Sequence, residues 1–204
     1  MPLSRSSGRS RLGPRFLAAL ASGWLLCAAA PLAAQPAGDV VYVHGIASAQ
    51  RPGEDARFIQ KGDAINEGDV INTGGRGFAV IQLKDGSKMT LRSDTTFAVD
   101  KYSQGGKDES LLLRLVKGGM RSVTGLIARR NPQAMRVSAG TATIGIRGTS
   151  FDARICGLEC AQEARAGQKP PAAAPLESIV ARVALFQGSA SVVGADGQAR
   201  TVSK

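Results

Sequence analysis

Apolar side chains recur at every second position through much of this chain, and Gly, Asp and Asn cut the alternation into short pieces. Ala79, Ile81 and Leu83 share one parity, Asp85-Gly86 follows, and Met89 and Leu91 take the alternation up again. Period two sends successive side chains to opposite faces of an extended strand. Asp-Gly between such runs is a strong hairpin signal. Phe97 and Val99 resume the pattern after the polar "RSDTT". In "LLLRLVKGGMRSVTGLI", Leu111, Leu113 and Leu115 alternate, and Gly118-Gly119 would break a helix, so strand–turn–strand is expected there. "AMRVSAGTATIGIRGTSFDARI" adds two strands and "IVARVALFQGSASVVGADGQARTV" ends the chain in hairpins. No helix-length amphipathic pattern follows Asp39, so the expected class is all-β, a single domain of short strands and hairpins.

The turns themselves repeat once. "GDAIN" at Gly62 is followed six residues later by "GDVIN" at Gly68, which predicts two successive turns of similar shape. The nonapeptide spacing of a calcium-binding β-roll is missing. Asp63, Asp69 and Asp85 therefore read as turn residues that cap backbone groups.

One strand breaks its own pattern. In "TATIGIRGTSF", Ala142, Ile144 and Ile146 share a face, and that parity would put Phe151 on the wrong side. One extra residue at Gly148 repairs the phase, because a β-bulge flips every side chain that follows it, and glycine tolerates bulge geometry. Gly145 lets a neighbouring backbone or the Arg147 stem lie close. Arg147 has three readings: a fork onto a carboxylate or carbonyl of a nearby turn, a contact to an anionic ligand, or a contact to a partner protein.

The first residues read as a leader. Arg5, Arg9, Arg11 and Arg15 precede "FLAALASGWLLCAAAPLAAQ", and no acid occurs before Asp39. A basic start, an apolar run and a small-residue exit describe a secretory signal peptide cut after Ala34. Cys27 follows Leu26 rather than a small residue, which argues against a lipoprotein attachment site. The alternative is an uncleaved inner-membrane anchor, since Phe16 to Ala34 approaches the roughly 20 residues a span needs. Ser22, Gly23 and Pro31 interrupt it. Loss of residues 1–34 removes four arginines and lowers the formal charge from +10 to +6. Residues 35–204 then form one exported domain, in the periplasm or secreted, with 162–178 as an exposed Pro/Ala-rich loop. Cys156 and Cys160 in "ICGLEC" pair as a disulfide in an oxidising compartment; free thiols and a metal site are the alternatives. The metal reading lacks ligands, because His44 is the only histidine.

"GDVINTG", then "AVIQLKDGSKMTL" and "TTFAV", "LVKGGMRSVTGLI" and "TATIGIRGTSF" occur in that order and resemble the FecR domain, from about Gly38 to the end. The resemblance implies a periplasmic, β-helix-like or solenoid-like domain without catalytic activity; a β-sandwich is the alternative. In the founding members the domain receives a signal from an outer-membrane iron transporter and passes it to a cytoplasmic sigma factor. Only about fifteen residues precede the apolar run here, too few for the anti-sigma segment of those regulators, so no direct sigma-factor contact is expected.

Catalysis has little support: the single histidine has no serine or cysteine partner motif, and the acids sit in turns. No cofactor is expected. The function expected is a non-enzymatic binding, sensing or protein-interaction module of the envelope, with a glycan- or anion-binding structural protein as the alternative. Its partners would be an envelope protein, or else an acidic glycan or anionic surface. Nucleic acid is disfavoured by the scarcity of aromatic stacking platforms. The candidate binding positions are Arg147 with Gly145, Gly148 and Thr149, together with Arg121 and Arg136. Arg129 and Arg130 read as a solvated turn.

Overall fold

The computed structural model describes residues 36–106, 108–156, 180–194 and 196–203; for Gly148, Thr149, Cys156 and Val180 only the strand assignment is described. The expected leader, the loop at 162–178 and Cys160, hence the expected disulfide, lie outside the described residues. Thirteen strands and one helix follow in the order β1 (Pro36–His44), β2 (Ala47–Gln50), β3 (Arg57–Phe58), β4 (Ala64–Asn66), β5 (Val70–Thr73), β6 (Phe78–Leu83), β7 (Lys88–Leu91), β8 (Thr96–Ser103), β9 (Ser110–Val123), α1 (Leu126–Arg130), β10 (Met135–Ala139), β11 (Ala142–Cys156), β12 (Val180–Val193) and β13 (Ala199–Ser203).

All thirteen strands belong to one sheet, and β9 is its hub. The first half of β9 pairs with β8, from which the sheet continues through β5 and β2 to β3. Its second half pairs with β7, and from there the sheet runs through β6 and β1 to β4. On its other side β9 meets β10 first and β11 later, and β11 also pairs with β10. These three strands close on one another, which makes the sheet a small barrel-like closure. Stacked parallel coils, implied by the β-helix expectation, would require parallel ladders; among the described residues only β9 and β10 run parallel. The pairing is continuous through all thirteen strands rather than divided between two sheets.

The chain crosses between the two arms at glycine corners that lie against one another. The passage from β1 to β2 goes through Gly45, φ 71°, and that from β5 to β6 through Gly74–Gly77. A Cβ at Gly77 would stand 2.9 Å from the Ile46 carbonyl oxygen and 3.0 Å from that of His44. Between β7 and β8, the Thr73 hydroxyl donates to the Arg92 carbonyl at 2.6 Å, and the Thr95 hydroxyl donates to the Gly119 carbonyl at 3.1 Å. Only glycine allows backbones to approach so closely.

This packing explains a departure from the expected element pattern. The expected turn at Gly118-Gly119 is absent, and β9 runs as a single strand through both. Gly118, at φ 82°, bends it where its partner changes from β8 to β7. The end of the same segment forms the short helix α1. The expected hairpin is present, with Ala79 opposite Leu91 and Ile81 opposite Met89. Inward parity collects Ile71, Ile81, Leu91, Phe97, Leu113, Ile144 and Phe151 into one core cluster, each such side chain contributing about 1.5–3 kcal/mol on burial.

Candidate functional site

The acidic residues of the turns are occupied structurally. At the repeated motif, the Gln60 N–H donates to Asp63 at 2.8 Å and the Asn66 N–H donates to Asp69 at 2.9 Å. Gly62 and Gly68 both take positive φ, so the two turns share a shape, as expected. Asp69 is fully buried and also receives the Arg57 guanidinium at 2.6 Å; that hydrogen bond holds the Arg57 pKa above its usual range. Asp85, equally enclosed, accepts the Ser87 N–H at 2.9 Å and the Ser87 hydroxyl at 2.8 Å. Its Oδ2 also takes the Ile127 N–H at 3.4 Å, and the Ser87 hydroxyl oxygen accepts the Gly125 N–H at 2.9 Å. The "DGS" turn thus caps the start of α1. His44 ends β1 with its ring 5.6 Å from that of Phe78.

The bulge expected in β11 is present. Arg147 lies opposite Ser189 and Ser150 opposite Gln187, which leaves one extra residue on β11 between them. Ala142, Ile144 and Ile146 are buried before it and Phe151 and Ala153 after it. A second irregularity, between Ser150 and Phe151, adds Phe186 to β12, and Gly188, with φ 92°, lies on β12 opposite the first. Both strands therefore change phase together, and the core face stays apolar on either side.

Outside, the ladder of β11 and β12 carries two basic concavities. The first, about 180 Å³, is bordered by Arg136, Gly145, Arg147 and Ser191. Gly145 sits between Arg136 on β10 and Ser191 on β12, and its missing side chain keeps the floor low. Arg147 is exposed, and no hydrogen bond or ion pair joins it to the described residues, so the fork onto a neighbouring turn is not formed among them. The second concavity, about 340 Å³, is bordered by Arg92, Arg121, Asp152, Arg154, Arg182 and Phe186. Asp152 pairs with Arg92, and more distantly, at 3.7 Å, with Nε of Arg121. The Arg121 guanidinium lies 4.2 Å over the Phe186 ring, a cation–π contact. Arg154 and Arg182 stand directly opposite each other. Among the described residues, four guanidiniums and one carboxylate border this concavity, and the fork geometry of arginine suits carboxylate, phosphate or sulfate.

Of the binding positions expected from the sequence, Arg136, Gly145 and Arg147 come together, whereas Arg121 belongs to the second concavity. Arg130 instead pairs with Glu109 at 3.1 Å. Arg92, Arg154, Arg182 and Asp152 were not among the candidates. Their outward parity is readable, but their meeting depends on the register of three strands. Among the described residues no helix is long and apolar enough to cross a membrane, and no group of three or more metal-ligating side chains converges.

Residues 69–167 match the FecR protein family, a narrower span than the resemblance from Gly38 onward. No curated protein and no solved structure matches the chain.

Proposed function

From the FecR match over residues 69–167, we propose that the chain is a non-enzymatic binding or sensing module of the cell envelope. It is exported by the leader at residues 1–34 and communicates with an envelope protein. The family match is the observation that carries this reading. The polar groups agree with it: the buried carboxylates Asp69 and Asp85 are engaged by backbone N–H groups and Arg57, which leaves them poorly placed for proton transfer. The open arginine-lined surface suits recognition.

Crosslinking in intact cells, with a C-terminal tag and mass spectrometry of bait and captured partners, tests this. A bait beginning near Gln35 with one dominant envelope protein supports it. A bait that keeps residues 1–34 replaces the exported module with an anchored one, and a cleaved bait without a protein partner removes the protein-interaction reading. The second reading, recognition of an acidic glycan or other anion, is favoured by the two arginine-lined concavities.

A further inference from the structure

The bulge in β11 has a consequence on the outer surface. In an unbroken strand Arg147 and Arg154 would point to opposite faces, since an odd number of positions separates them. The extra residue between Arg147 and Ser150 brings both to the outer side, where both are exposed. On β12 the matching irregularity does the same for Arg182 and Ser189. The two basic concavities therefore lie along one ladder, roughly 20 Å apart along the strand.

We infer that this face binds a linear acidic polysaccharide whose carboxylate or sulfate groups engage both concavities across the bulge. The inference deepens the second functional reading and rests on the envelope location given there. Four observations select this occupant. Guanidinium forks pair with planar or tetrahedral oxyanions through two parallel hydrogen bonds, and Arg92 and Arg121 each commit only one nitrogen to Asp152. Both backbone edges of β11 are paired, to β9 and β10 on one side and β12 on the other, so an acidic peptide has no edge there to extend as a strand. The track beside Arg147 is made of Gly145, Ser189 and Ser191, which leaves low relief and hydroxyls for sugar rings. The one aromatic ring at the second concavity, Phe186, is covered by Arg121 and offers no stacking platform for bases.

The purified protein is titrated with oligogalacturonates and heparin fragments of increasing length, with galacturonate monomer, polyglutamate and single-stranded DNA for comparison. Affinity for one of the two oligosaccharide series is expected to rise about 10-fold once a fragment spans both concavities, and to fall with added salt. Arg147→Ala, checked by circular dichroism for a native spectrum, should abolish the gain with length. Arg154→Ala combined with Arg182→Ala should weaken monomer and long fragments alike. Affinity independent of length, an unaffected Arg147→Ala protein, or equal binding of polyglutamate or DNA overturns the inference. Failure to bind either series while an envelope protein is still captured in cells overturns this inference alone. Length-dependent oligosaccharide binding without a captured protein upholds it and removes the protein-interaction reading.

Discussion

Gly119 lies beneath both Arg92 and Arg154: a Cβ added there would stand 3.1 Å from Cδ of Arg92 and 3.3 Å from Cγ of Arg154. Two of the guanidinium stems that border the larger basic concavity thus pack over a glycine on β9, whose absent side chain sets where they lie. Its neighbour Gly118 has a different constraint. A Cβ at Gly118 would come 2.5 Å from the Thr95 hydroxyl oxygen and 2.7 Å from the Asp94 carbonyl oxygen, at φ 82°.

Adjacent alanine substitutions should therefore behave differently. At Gly119 the stems of two flexible side chains can move, so Gly119→Ala should cost less than about 1 kcal/mol while lowering affinity for acidic oligosaccharides. At Gly118 both backbone strain and a backbone clash oppose the change, so Gly118→Ala should cost about 3 kcal/mol or more. Urea denaturation of the two variants measures the difference.

The Asp85 carboxylate should be a stability determinant. It is buried and receives donors from Ser87 and Ile127. Asp85→Ala would leave these donors unsatisfied at about 1–3 kcal/mol for each buried group, and the Tm should fall accordingly. A Cβ at Gly125 would overlap the Asp85 carbonyl oxygen and the Ser87 nitrogen, so Gly125→Ala should destabilise the same junction.

Deleting Gly148 should be worse than replacing any single core side chain. Removal of one residue from the bulge would turn Phe151 outward and Asp152 inward. The cost should exceed the about 3–5 kcal/mol of a buried Phe→Ala change, and the protein should lose its cooperative thermal transition. A retained transition at the original temperature would mean that the bulge is not what sets the phase.

Asp152 opposes the charge of the larger concavity, so Asp152→Asn should raise affinity for oligogalacturonate by about 3- to 10-fold. Arg92, half-exposed, loses an ion pair, and exposed pairs contribute only about 0–1 kcal/mol, so the midpoint of urea unfolding should barely change. Calorimetric titration of the variant beside the parent protein reads the affinity.

Tyr102 should ionise late. Burial, with the nearby charge of Asp85 and then Glu109 also acting against the phenolate, pushes its hydroxyl up to about 12 from 10.0. Because the folded value is raised, its contribution to stability is fully present below the unfolded value of about 10. That contribution is lost as pH rises towards about 12. Ultraviolet titration of a Tyr42→Phe protein should show a single late transition, which Tyr102→Phe in the same background removes.

Much of this architecture could be read locally. Ala79, Ile81 and Leu83 around Asp85-Gly86 specified a hairpin because period two and turn chemistry are both short-range. The parity slip in "TATIGIRGTSF" placed the bulge between Arg147 and Ser150 because burial of Phe151 demanded it. Gly118-Gly119 was misleading for the opposite reason. Two glycines in sequence look like a turn, but here they let β9 bend past Thr95 and change partners, a constraint that comes from a distant segment.

That strands form, where most of them turn, and which residues face inward was legible along the chain, since all three follow from side-chain period and backbone preference over a few positions. The tertiary structure alone decided that the sheet closes through β9, β10 and β11 rather than stacking in parallel coils. It also decided that Arg92, Arg121, Arg154 and Arg182 share one concavity. Those outcomes depend on the register between strands far apart in the chain, and outward-facing arginines carry no burial penalty that would fix their register in advance.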